Sequence, residues 1–345
     1  MFTVTTKDID AILQDYGIQG NCAVLSELQR YHYEKYDPTS KEVRLIVKVE
    51  TNLNRAVVIR FKNEKDVSID IINNQSRFAV LLADKGIETP MVYSSYGQYA
   101  RWYQIDGYDV IVTVEDFVTG ELREVDAEAA EKTGRLLART HNIAEANDSH
   151  VQNDILFHPL KTNDLFSFEE FIAHKDYLMS VDNALYHEIV QKHTQLLQEV
   201  RRFENEPQYA VQGDISNNNL YWASSGNIGI FDFNRCGDNV IYYDAVMQAI
   251  FEARLMDYPK DLAENPEKEI LPAFLKGYHQ ERPFTEAQME AFPYLYALIS
   301  AFWLIDMKWD EHSIGNAVKE ADPVAVLKWM RDIYDRTTYL PSMPI

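Results

Sequence analysis

The spacing of apolar residues changes once along this chain, near residue 120. Before that point short apolar runs predict strands: CAVLSELQRYHY from Cys22, EVRLIVKVE from Glu42 and AVVIRF from Ala56, the last two joined by a turn at residues 51–54. One helix interrupts them, predicted over Ser68–Lys85. There Ile71, Ile72, Phe78, Leu81 and Leu82 recur at helical spacing, Ser68 and Asp70 mark the start, and Gly86 supplies a stop. Strands over Tyr99–Gln104 and Asp109–Thr113 then lead into the glycine-containing segment VEDFVTGE. Such strands build a mainly antiparallel sheet.

Beyond it the helical period takes over, and apolar stripes predict helices at Asp126–Ala144, Ser167–Tyr177, Ala184–Asn205, Ala245–Met256, Glu286–Met307 and Val324–Arg336. Thr285 with Gln288 has capping-box spacing, and Asp322 before Pro323 reads as a cap followed by proline in the first turn. A β exception lies at residues 209–233. The class is therefore α+β in two lobes: a small β lobe over 1–118, a connection at about 114–121, and a mainly α lobe over 119–345.

Composition narrows the function. With 33 Lys+Arg against 54 Asp+Glu the formal charge is −21, which opposes nucleic acid and anionic membranes and is compatible with a cationic small substrate. Its first reading is simply a soluble acidic surface. The two cysteines, Cys22 and Cys236, make no disulfide scaffold, and the first residues lack a secretory pattern. The longest apolar tract, residues 294–305, is shorter than the ~18 to 20 residues of a membrane span. A cytoplasmic protein is expected.

The β exception carries the chemistry. After QYAV comes a polar loop, and Leu220–Trp222 and Ile228–Phe233 form two short strands across the Ser224-Ser225-Gly226-Asn227 turn, which returns Asp232 toward Asn219. An Asp and an Asn five positions apart on one loop, with a second Asp thirteen further on, suit phosphoryl transfer. That reaction needs a divalent ion on hard oxygen ligands and a carboxylate to orient the attacking hydroxyl. Asp214 is the candidate base, and Asn219 and Asp232 are the candidate Mg2+ ligands.

Protein kinases carry H-R-D-x-x-x-x-N followed by D-F-G. This chain has Gln212-Gly213-Asp214 with Asn219, then Asp232-Phe233-Asn234. At these residues it resembles the aminoglycoside phosphotransferase and choline kinase family, whose loop commonly reads H-G-D-x-x-x-x-N. Gly237, Asp238 and Tyr243-Asp244 look like the family's trailing G-D-P-x-x-D-L run. Leu136, Leu137 and His141 look like its L-x-x-L-H helix, with His141 expected to be packed rather than catalytic. The resemblance covers about residues 22–334, and outside the loop it is one of pattern.

It implies a two-lobed protein-kinase-like fold and ATP- and Mg2+-dependent transfer to a small hydroxylated molecule such as an amino alcohol, sugar or aminoglycoside. It also implies site residues. Arg60, with Lys62 in reserve, would reach the ATP phosphates, while backbone groups of Val114–Val118, including Glu115, Phe117 and Val118, would meet the base. Gln212 and Asp244 would support the loop. Trp303, Asp306, Trp309, Asp310 and Glu311 would face an acceptor amine, the aromatic part of that contact being worth roughly 0.5 to 2 kcal/mol.

Three positions depart from the family. The loop His is Gln212, the helix glutamate that pairs with the strand cation falls on Gln75, and no glycine lies between Gly20 and Gly86 to cover phosphates. A neutral Gln75 predicts an Arg60 without a salt bridge. These departures motivate the alternative, a catalytically inactive kinase-like protein that binds a ligand or a protein. A protein kinase is a distant third, because no A-P-E segment or activation loop separates Asp232 from Asp244.

Overall fold

The computed structural model describes all residues except 66, 164, 216–218, 263, 305–307 and 309–312. It is α+β and divides into two compact units, each drawn from several stretches of chain. One comprises Met1–Leu122, Asn147–Asn153 and Asn218–Cys236; the other comprises Arg123–Ala146, Asp154–Asn217 and Gly237–Ile345. The division differs from a single cut near residue 118 because the hairpin after the polar loop packs with the first unit. Trp222 N–H donates to Gly120 (2.7 Å), Leu122 N–H to Leu220 (3.0 Å), and Ile230 N–H to Glu88 (2.9 Å).

The first unit is a five-stranded antiparallel sheet: β1 (Cys22–Tyr31), β2 (Val43–Thr51), β3 (Ala56–Asn63), β4 (Arg101–Ile105) and β5 (Tyr108–Asp116), ordered β1-β2-β3-β5-β4. Strict alternation in β2 buries Val43, Leu45, Val47 and Val49 on one face. An N-terminal helix, α1 (Thr6–Asp15), covers that face with Ile9, Ile12 and Leu13, and the Tyr16 hydroxyl donates to the Val112 carbonyl at 2.8 Å. Sequence reading passed over α1, although Thr5 and Asp8 form its capping box. The helix expected over residues 68–85 is α2 (Ile69–Asp84), capped by Ser68 and stopped at Gly86 with φ +84°. Ile72 of α2 packs with Ala100 and Ile111 on the other face of the sheet.

The second unit is mainly helical. Its α3 (Ala127–Ala146) holds the predicted stripe, α4 (Phe168–Ala173) and α5 (Lys175–Val200) replace the helices expected over 167–177 and 184–205, and α6 (Ile241–Leu255) is buried from Ile241 through Ala253. Asp182 breaks helical geometry inside α5. α7 (Glu267–Glu281) was not anticipated, its apolar face being interrupted by Pro272 and Gly277. It lies against α3 through paired glycines. A Cβ on Gly134 would stand 2.0 Å from the Phe274 carbonyl, and one on Gly277 2.0 Å from that of Glu131.

α8 (Glu286–Ala301) begins at the predicted Thr285 cap but ends before the expected residue 307. Backbone pairing takes over there: Ser167 N–H donates to Phe302 (3.0 Å) and Leu304 N–H to Leu165 (2.8 Å). α9 (Ile314–Lys319), also unforeseen, precedes α10 (Pro323–Thr338), which has the predicted Asp322 cap. β6 (Gln208–Val211) leads into the polar loop, and β7 (Leu220–Trp222) and β8 (Ile228–Ile230) form the expected hairpin. β9 (Gly237–Val240) returns antiparallel to β6. No helix among the described residues is long and apolar enough to cross a membrane.

Candidate active site

In the first unit, alternation on β3 sends Ile59 and Phe61 into the core and leaves Arg60 and Lys62 together on the opposite face. Arg60 is not left without a carboxylate. Pairing of Val58 with Glu115 and of Arg60 with Thr113 sets Glu115 diagonal to Arg60, and the two form a short ion pair with little solvent exposure. A second guanidinium nitrogen lies 3.8 Å from Asp232 Oδ2. The expected absence of a salt bridge is thus corrected: the partner comes from β5 rather than from α2.

Gln75, in the position read as the missing glutamate, does different work. Its amide donates to the carbonyls of Asn234 (3.0 Å) and Cys236 (3.1 Å), and Asn153 donates to Cys236 as well (3.0 Å). These bonds hold the turn that begins at Asp232, whose backbone is left-handed at φ 57°, ψ 76°, a region that Asp tolerates better than most residues. Asn234 secures the carboxylate through its backbone N–H (3.2 Å) and its side-chain amide, while Phe233 meets Phe78 of α2 edge-on. Burial pushes the Asp232 carboxyl up, but Arg60 and the Asn234 bonds outweigh it and hold the group below its ordinary value.

Asn219 is buried at the other foot of the hairpin, and its carbonyl accepts from Phe231 N–H at 3.0 Å. The hairpin therefore brings Asn219 beside the strand that ends at Asp232. One carboxylate and one amide oxygen are hard donors, which suits a Mg2+-like ion that keeps waters and takes phosphate oxygens as further ligands. Among the described residues Lys62 hydrogen-bonds only to the Asn234 side-chain oxygen, at 3.3 Å. Burial pushes its ammonium down to about 8 against the upward pull of Glu64.

The segment expected to meet a nucleotide base is partly engaged with the protein itself. Phe117 N–H donates to the Ala56 carbonyl (3.0 Å), Asp116 N–H donates to Met91 (2.9 Å), and the Lys48 ammonium sits 4.4 Å over the Phe117 ring. The Phe117 N–H thus has its acceptor within the sheet. Val118 follows, partly buried.

In the second unit, Gly213 at φ 76° turns the chain into Asp214. Gln212 is buried, and its side-chain oxygen accepts from Asp214 N–H at 2.7 Å. The next amide, Ile215 N–H, donates to Gln248 (2.9 Å), whose own amide donates to Asp244 (3.2 Å). The other Asp244 oxygen is bonded to His141 Nε2 (2.9 Å), and His141 Nδ1 is bonded to the Tyr278 hydroxyl (2.8 Å). A relay of four helical side chains, Gln248, Asp244, His141 and Tyr278, thus ends on the backbone beside Asp214. Sequence reading missed Gln248, although its place one turn after Asp244 was a usable signal.

Trp303 is buried, bridged to Phe166, and carries the Arg254 guanidinium 5.2 Å from its ring. Arg254 is tied to Glu267 (3.0 and 3.1 Å) and Ser300 (2.8 Å). The cation at that ring is therefore the protein's own, which departs from the acceptor-amine expectation. Asp306, Trp309, Asp310 and Glu311 lie outside the described residues.

Comparison with known proteins fits this geometry. Amicoumacin kinase, solved in complex with AMP-PNP, Ca2+ and Ami, superposes with a TM-score of 0.56 at 15% identity over 86% of each chain. A microcompartment-associated aminopropanol kinase gives 0.55 at 13% identity, covering 96% of this chain and 95% of its own. An aminoglycoside phosphotransferase from Alicyclobacillus acidocaldarius gives 0.51 at 10% identity, covering 90% and 93%. No curated protein matches the chain. The fold is that of the protein-kinase-like small-molecule phosphotransferases. A profile of the phosphotransferase enzyme family matches residues 44–292, and the chain belongs to that family.

Proposed function

We propose that this enzyme transfers the γ-phosphoryl group of ATP to a hydroxyl of a small molecule in a Mg2+-dependent reaction. The observation that carries the reading is the hairpin foot, where Asp232 is held in a left-handed turn by Asn234 and Gln75 while Phe231, just after β8, is bonded to the Asn219 carbonyl. In this reading Asn219 and Asp232 hold the metal, and Glu115, Phe117 and Val118 line the base site. Asp214 accepts the acceptor proton as the acceptor oxygen bonds to the γ-phosphorus and the bond to the ADP oxygen breaks. Mg2+, when bound, neutralises charge on the phosphate oxygens. Gln212 and Asp244 keep the Asp214 loop in place.

The acceptor is an amine-bearing alcohol or antibiotic in this reading. Support comes from the net charge of −21 and from the named substrates of the aminopropanol and amicoumacin kinases. Calorimetric titration with ATP, with and without Mg2+, tests the nucleotide site on the wild type and Asp232→Ala. Magnesium-dependent binding that disappears in the variant is expected, and no binding at millimolar nucleotide would overturn the reading. Turnover with amino alcohols, sugars and aminoglycosides then tests the base, since Asp214→Ala should abolish transfer in a folded protein.

A further inference from the structure

We propose that Asn234 sets which divalent ion the site takes: by holding one oxygen of Asp232 it leaves the ion to the other, and so favours a Mg2+-sized ion over a Ca2+-sized one. The assignment rests on the phosphotransferase reading above, in which Asp232 is a metal ligand. It concerns the position at which protein kinases carry the glycine of D-F-G.

The Asn234 amide stands between a group that can only accept and a group that can only donate. Its nitrogen donates to Asp232 Oδ1 (2.5 Å), the Asn234 backbone N–H donates to the same oxygen (3.2 Å), and its side-chain oxygen accepts from the Lys62 ammonium (3.3 Å). A carboxylate has no proton to give and an ammonium no lone pair, so the amide is fixed in this orientation. Two N–H donors on one oxygen occupy both of its lone pairs. The other oxygen, Oδ2, stands 3.8 Å from Arg60, beyond hydrogen-bond length, and that guanidinium is already paired with Glu115.

The two ions differ in what they ask of a carboxylate. Ca2+ gathers roughly six to eight oxygens at about 2.3 to 2.6 Å and takes a carboxylate through one oxygen or both. Mg2+ demands a near-ideal octahedron at about 2.0 to 2.1 Å and keeps several waters, which the narrow bite of a two-oxygen carboxylate fits poorly. An Asp232 with Oδ1 committed therefore costs a Ca2+-sized ion a ligand and costs a Mg2+-sized ion nothing. Aspartate at 234 would set a second carboxylate where Oδ1 needs a donor, and glycine would leave that oxygen the backbone N–H alone. The turn itself does not depend on this side chain, because Gln75 holds the carbonyls of Asn234 and Cys236 and Asn153 holds the latter as well. Asn234 is thus a positioning residue that acts on the ion through Asp232.

The experiment is calorimetric titration of ADP in saturating Mg2+ and, separately, in saturating Ca2+, on wild type, Asn234→Ala and Asn234→Ser, each with a melting curve taken without metal. The ratio of the two ADP affinities is the readout, because a loss of packing alone weakens both equally. Wild type is expected to bind ADP more tightly with Mg2+. Asn234→Ala should move the ratio toward Ca2+ by roughly 10-fold, and Asn234→Ser, which keeps a hydroxyl donor for Oδ1, by less. If the melting curve shows Asn234→Ala unfolded at the titration temperature, Asn234→Ser carries the same comparison. A wild type that binds ADP equally with the two ions, or a ratio unchanged by the substitution, overturns the assignment and leaves the phosphotransferase reading standing. A wild type that binds ADP with neither ion removes that reading and this assignment together.

Discussion

Arg60 on β3 is ion-paired with Glu115 on β5, one strand away in the sheet and diagonal across the register. The pairing puts the counter-ion of the mostly enclosed guanidinium on the rigid sheet, so its geometry does not depend on where α2 sits. Burial pushes the Glu115 carboxyl upward against the pull of Arg60, and the pair persists because a guanidinium does not give up its charge.

Removing one member of such a pair strands the other. Glu115→Gln should destabilise the protein by on the order of 3 kcal/mol, since Arg60, with little solvent exposure, keeps among the described residues only the more distant Asp232. Chemical denaturation at neutral pH measures it. A loss below about 1 kcal/mol would mean that the pair is effectively solvated.

Gln75 shows why restoring a family-like glutamate would harm this chain. Both of its amide bonds run to carbonyls, those of Asn234 and Cys236, and a carboxylate has no proton to give them. Gln75→Glu is therefore expected to cost about 2 to 3 kcal/mol at pH 8, more than Gln75→Met. The introduced acid is favoured in its protonated form when folded, so stability should fall as pH rises and partly return near pH 5. Melting curves at the two pH values decide it; equal losses at both would remove the clamp from the explanation.

How much of this was legible follows the range of the interactions. The α2 cap and the β7–β8 hairpin lie within short stretches of chain, and local rules found them; the Asp214, Asn219 and Asp232 spacing is equally local and motivates the proposed site. Glu115 as partner of Arg60 needed the strand order, in which β5 rather than β4 lies beside β3. α7 hid behind Pro272 and Gly277, and that glycine has meaning only against Gly134 on α3. The end of α8 was fixed by backbone bonds to residues 165 and 167, which no periodicity of its own sequence announces.

Glu252 offers a pH test away from the site. It is fully buried on α6, where neither carboxyl oxygen has a well-formed hydrogen bond among the described residues, although the Thr133 hydroxyl lies near enough to act on it. Burial, only partly offset by Thr133, pushes its carboxyl well above the ordinary range. The folded state then keeps a proton that the unfolded chain releases above about pH 4.5, so this group lowers stability as pH rises, by at most about 1.4 kcal/mol per unit. Glu252→Gln should gain on the wild type steadily from pH 5 to pH 8. A difference in melting temperature that does not grow with pH would show that the group is ionised in the fold.

The last prediction concerns the support of Asp214. Gln248 accepts from Ile215 N–H and donates to Asp244, so Asp244, itself held by His141, sets which end of the Gln248 amide faces the loop. Gln248→Leu keeps much of the volume and removes both bonds, leaving a buried N–H and one Asp244 oxygen short of partners at about 1 to 3 kcal/mol each. Because the amide lies next to Asp214 in the chain, the proposed base should shift with it. The proposed metal ligand Asp232 and the strand cations Arg60 and Lys62 belong to the other compact unit. ATP turnover should therefore fall roughly 10- to 100-fold while calorimetric ADP affinity stays within about twofold of wild type. Gln248→Glu should restore an acceptor for Ile215 but place a second acid beside Asp244, so its turnover should recover on lowering the pH. Equal losses of turnover and ADP affinity in Gln248→Leu would point to general unfolding and remove Gln248 as a positioning residue.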